Sequence, residues 1–257
     1  MKLFKLFLVV SLLAGCASSG GGSEGTPQMD SSRAQEIARI HTEHAASYFE
    51  RRQYAVALQE IDKALQVNPD YSPAYNVRAL VRMALREDEK ADADFRLSLQ
   101  LDSRNSETYN NYGWFLCQRG RAKESIRQFQ EALKNPLYAT PEVAYANLGI
   151  CSMKAGLMKD VENNLQRALV LRPGMPEALY GLAVWSFDRG DYAGAKSYFL
   201  RFSQSSHEVH EFTAEELWLA VRIERKMHDR NSEASYALQL RKRFPESRET
   251  QLLMSGE

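Results

Sequence analysis

Three cysteines and five histidines in 257 residues leave little material for side-chain chemistry. A zinc-class site takes three or four Cys, His or carboxylate ligands, and no run supplies such a set. His207-x-x-His210 puts two imidazoles on one helical face with no Cys or His beside them. His41 and His44 fall at packing positions of a helix. Gly20-Gly21-Gly22 has no strand before it and no phosphate-loop lysine after it. Charge of one sign is absent too: 33 Lys and Arg balance 33 Asp and Glu. The concentrated basic patch of a nucleic-acid binder is missing, and Arg241-Lys242-Arg243 reads as a solvated helix end that suits the helix dipole. The expectation is a protein that is not an enzyme, with no catalytic residues, no metal, no cofactor and no nucleic-acid partner.

What is present is repetition. Small residues recur at Ala45, Ala79, Gly113, Gly149 and Ala183, at spacings of 34, 34, 36 and 34 residues. Ala57, Ala91, Ser125, Val161 and Ala195 keep those spacings, as do the bulky Ile61, Phe95, Phe129, Leu165 and Phe199. This is the signature of the tetratricopeptide repeat, a helical hairpin that buries its apolar face only by stacking on its neighbours. The units run 38–71, 72–105, 106–141, 142–175 and 176–209, with a sixth, less regular one around 215–247. In each, the small residue at position 8 admits the second helix, and the small residue at position 20 is expected to meet it. Ser72-Pro73 and Thr140-Pro141 read as an N-cap followed by proline at the first helical position. Asn68-Pro69 and Arg172-Pro173 close second helices. The fold class is all-α, a superhelix of about six hairpins spanning 34–247, with a fraying tail at 248–257.

The N-terminus carries a different signal. Lys2 and Lys5 precede an apolar run, Leu6 to Leu13, broken only by Ser11, and Leu13-Ala14-Gly15-Cys16 follows. That order defines a secretory signal rather than a membrane span. The tetrad resembles the bacterial lipobox, which implies cleavage after residue 15, lipidation of Cys16 and a flexible tether over 16–33. By resemblance to Gram-negative lipoproteins, the absence of an aspartate after Cys16 implies sorting to the outer membrane, facing the periplasm. Cys117 and Cys151 sit at positions 12 and 10 of neighbouring first helices. Axes about 10 Å apart argue against a bond that needs Cα atoms within about 7 Å, so two free thiols are expected.

Positions 5, 9 and 12 of the first helices share the face that looks into the superhelical groove. The candidate partner-binding residues there are Phe49, Asn76, Leu80, Met83, Asn110, Trp114, Ile150, Met153, Tyr180 and Phe187. An amphipathic helix turns its polar side to water, so a second apolar stripe calls for an occupant. Asn76 and Asn110 are placed to bond a ligand's backbone, and Trp114 is the expected anchor.

The whole chain resembles the tetratricopeptide lipoproteins of type IV pilus biogenesis, the pilotins of the PilF/PilW type. The resemblance rests on the lipobox, the six repeats and two segments, Tyr109-Asn110-Asn111-Tyr112-Gly113-Trp114-Phe115-Leu116-Cys117 and Tyr145-Ala146-Asn147-Leu148-Gly149. It implies a scaffold that helps the pilus secretin reach, or multimerise in, the outer membrane, with the secretin or another outer-membrane protein in the groove. A lipoprotein of β-barrel assembly and an adaptor of peptidoglycan enzymes share anchor and architecture, and sequence physics alone does not separate the three.

Overall fold

A computed structural model describes residues 30–205 and 211–256. The signal segment, Cys16, most of the tether, His207 and His210 lie outside them. Among the described residues there are thirteen α-helices and no strand. They form six consecutive hairpins: α1 (Ser31–Glu50) with α2 (Tyr54–Val67), α3 (Ser72–Ala84) with α4 (Asp88–Leu101), α5 (Ser106–Gln118) with α6 (Ala122–Ala132), α7 (Pro141–Lys154) with α8 (Val161–Leu171), α9 (Pro176–Asp188) with α10 (Tyr192–Gln204), and α11 (Ala214–Lys226) with α12 (Arg230–Arg243). First helices pack on one another in order, α1 on α3, α3 on α5, α5 on α7 and α7 on α9.

The bulky row is the core. Ile61, Phe95, Phe129 and Leu165 are fully buried and Phe199 nearly so, each contributing about 1.5–3 kcal/mol of apolar burial. The small row meets this bulky row, and not chiefly position 20 as expected. A Cβ on Gly113 would stand 2.7 Å from the Phe129 ring, and one on Gly149 2.7 Å from Leu165 Cγ. Position 8 is small because position 24 of the same hairpin lies across it.

A left-handed residue ends the first helix of all six hairpins. Arg52, Arg86, Gly120, Gly156, Gly190 and His228 have φ of 59°, 62°, 75°, 70°, 82° and 59°. Such a residue reverses the chain in one step; glycine adopts it freely, whereas a Cβ makes it costly. His228 at this place marks the sixth hairpin as a member of the same series.

Three local expectations are corrected. Helix α1 begins inside the expected tether, with Asp30 accepting a hydrogen bond from the Ser32 amide at 3.3 Å. Ser72 lies inside α3 and does not cap it; its buried hydroxyl donates to the Ser98 carbonyl at 2.9 Å, linking the second hairpin to itself. The tail is a thirteenth helix, α13 (Arg248–Ser255), capped by Ser247 and packed on α11 and α12 with Thr250 buried. Thr250 Oγ1 also donates to the Phe244 carbonyl at 2.7 Å, tying the helix to the end of α12.

The thiol expectation is overturned as well. Cys117 and Cys151 form a disulfide, with Cα atoms 5.9 Å apart. Axis separation overstates the gap, because Cα atoms stand about 2.3 Å off each axis and these two point at each other. The bond ties α5 to α7 and is buried.

Candidate functional site

The first three hairpins build an open hollow of about 840 Å³ on the groove side. Phe49 comes from the last turn of α1 and Tyr54 from the start of α2, their rings 6.0 Å apart. Leu80 and Met83, one turn apart on α3, form the floor, and Trp114 of α5 forms the far wall. All five are half-buried, so each keeps apolar surface open after its helix has packed. The rim is polar and cationic: Arg86, Asn111, Gln118 and Arg119. Arg119 donates to Asp88 at 2.7 Å and to the Met83 carbonyl at 3.3 Å, fixing the turn between α3 and α4 against α5. That guanidinium holds the Asp88 carboxyl below the ordinary carboxylate range. Lys154 of α7 lies 5.9 Å from the Trp114 ring.

Phe49, Leu80, Met83 and Trp114 of the expected groove set thus come together. Asn76 and Asn110 do not line the hollow. Both are buried and belong to an amide ladder across three first helices: Asn147 donates to Asn110 at 3.0 Å, Asn110 to Asn111 at 3.4 Å, and Asn111 to Asn76 at 3.3 Å. Asn110 accepts and donates within the ladder and Asn76 Oδ1 is taken by Asn111, so these amides hold α3, α5 and α7 in register. Asn111 and Asn147, one position further along their helices, complete the ladder, and the repeated Asn at one-repeat spacing was the signal for it.

Ile150 and Met153 are half-buried against Val161, Leu165, Leu182 and Trp185, away from the first hollow. Tyr180 packs on Phe202, ring centroids 5.3 Å apart, and burial pushes its phenol pKa up. Phe187 is buried beneath the Arg222 guanidinium, 4.2 Å above its ring. With Tyr192, Arg225 and Lys226 it lines a separate hollow of about 510 Å³, walled by Gly256 after α13. The ten candidate residues were expected to share one groove face. The apolar face is instead divided between the two hollows.

His41 and His44 are placed otherwise than as packing residues. Both face Glu60 of α2, His41 Nδ1 at 2.7 Å and His44 Nδ1 at 3.8 Å from its Oε2.

Six stacked helical hairpins with a half-apolar hollow on the concave side define a tetratricopeptide-repeat scaffold. Its fold is shared with YrrB, a TPR protein with an unusual peptide-binding site, at 20% identity and a TM-score of 0.54. The chain belongs, more narrowly, to the tetratricopeptide-repeat proteins of type IV pilus biogenesis. It is 34% identical to PilW, a type IV pilus biogenesis factor, over 85% of this chain and 99% of that one, with a TM-score of 0.75. It is 28% identical to the type IV pilus assembly protein PilF of Pseudomonas aeruginosa over 96% of this chain and 95% of that protein. The solved structure of P. aeruginosa PilF superposes with a TM-score of 0.78, covering 87% of this chain and 99% of that one. No family model matches the chain.

Proposed function

We propose that this protein is a lipid-anchored periplasmic scaffold that holds the type IV pilus secretin and promotes its localisation or multimerisation in the outer membrane. The observation that carries the reading is the hollow at Phe49, Leu80, Met83 and Trp114, apolar surface left open on a concave face. Its size suits an inserted segment of a few side chains. The rim arginines favour an apolar anchor flanked by acidic or hydrogen-bond-accepting groups. Two further features support the compartment: the lipobox ending at Cys16, and the Cys117–Cys151 bond, of a kind that persists in oxidising spaces such as the periplasm.

Removing the protein from cells tests the reading. Secretin multimers and twitching motility are expected to be lost while levels of other outer-membrane barrels stay normal. A general loss of barrel proteins would instead assign it to barrel assembly.

A further inference from the structure

The carboxylate at position 23 of the second hairpin, Asp94, is almost fully buried and receives two guanidinium groups, Arg78 at 2.8 Å and Arg82 at 2.6 Å. The same place in the first hairpin is Glu60, whose side chain is 12% exposed. Facing it are two imidazoles from one turn of α1, His41 and His44. Guanidinium is always charged, whereas imidazole at neutral pH is largely neutral and a metal ligand. Lys63 occupies only Oε1 of Glu60, at 2.6 Å. Oε2 is hydrogen-bonded to His41 Nδ1 at 2.7 Å, with His44 Nδ1 3.8 Å away, so an ion would replace that bond.

The ligand atoms of His41, His44 and Glu60 all lie within 4.8 Å of one another. A tetrahedral ion with bonds of about 2.0–2.1 Å sets its donors about 3.3 Å apart, as the angle requires. The observed separations from Oε2, 2.7 Å and 3.8 Å, bracket that value. His41 and Glu60 are largely covered while His44 is 61% exposed, so the site has an inner wall and an open mouth.

We propose that His41, His44 and Glu60 bind a divalent transition-metal ion of the zinc class, with water or a partner's ligand in the fourth position. Two imidazoles and one carboxylate select zinc, copper or nickel over magnesium and calcium. The ion clips α1 to α2, the first hairpin of the described residues.

The test is isothermal titration of the untagged, metal-stripped full chain in detergent with zinc chloride and, separately, magnesium chloride. One zinc is expected per chain with Kd on the order of 10 μM, no magnesium binding, and a rise in melting temperature with zinc. His44→Arg copies the second hairpin, where Arg78 holds the equivalent place. It is expected to keep the fold through an ion pair to Glu60 while weakening zinc binding at least about tenfold and removing the zinc-dependent rise. His41→Ala is expected to weaken binding similarly. No saturable zinc binding by the native chain, or binding unchanged in His44→Arg, would overturn the proposal.

Discussion

Gly120 shows how a single residue carries a hairpin. Its φ of 75° reverses the chain between α5 and α6, and a Cβ there would meet nothing within 4 Å. Gly120→Ala therefore isolates the backbone cost, expected at about 1–2 kcal/mol of stability in urea unfolding; an unchanged midpoint would contradict the left-handed turn. In the proposed function, Trp114 is the residue on which binding is expected to rest. It is half-buried beside the Cys117–Cys151 bond and Phe129, and its remaining surface walls the hollow. Trp114→Ala is expected to cost about 2 kcal/mol of secretin affinity, roughly thirtyfold. Affinity left intact while the melting temperature falls would make Trp114 core only.

At the scale of elements, the disulfide joins two first helices across a sequence separation of 34 residues. Replacing both cysteines by serine releases that loop in the unfolded chain and is expected to cost about 3–4 kcal/mol, measured by urea unfolding. Stability unchanged by the double replacement would remove the bond from the account. Helix and turn junctions also hold a set of carboxylates. Glu60 is lowered by Lys63 and then His41, Asp88 by Arg119, and Glu124 by Arg121. Groups depressed on folding add stability above their unfolded values, about 4, and lose it as pH falls through the folded ones. Melting temperature is therefore expected to fall as pH drops below about 4; a melting curve flat to pH 3 would contradict these pairings. The hairpins themselves were legible because small and bulky positions recur at fixed offsets, the strongest regular signal a helix can leave. The disulfide was not, since axis spacing says nothing about which way two Cα atoms face. Asn76 and Asn110 misled for a related reason: a polar residue on the groove face looks free until its neighbour one repeat away supplies the partner.

At the scale of the molecule, six hairpins and the capping α13 make one superhelix with one cation-rimmed hollow floored by Leu80 and Met83 and another lined by Phe187, Arg222 and Lys226. The repeat period made the superhelix readable, and the groove face was readable in register. Which groove residues stay open was not, because that depends on how tightly successive first helices close, a property of packing rather than of any one helix. The proposed anchor belongs to this scale too. Cys16→Ala is expected to shift the protein from outer-membrane to soluble or inner-membrane fractions with the repeat domain's melting temperature unchanged; full retention in the outer membrane would count against lipidation as the anchor. The central claim, that the first hollow holds the pilus secretin, is tested most directly by photocross-linking in cells. A photoreactive amino acid at Met83, on the hollow's floor, is compared with one at Leu137, which is 88% exposed and outside the hollow. The account predicts a secretin adduct from position 83 and none from position 137. Secretin adducts of equal yield from both positions, or adducts from position 83 that contain only other proteins, would contradict it.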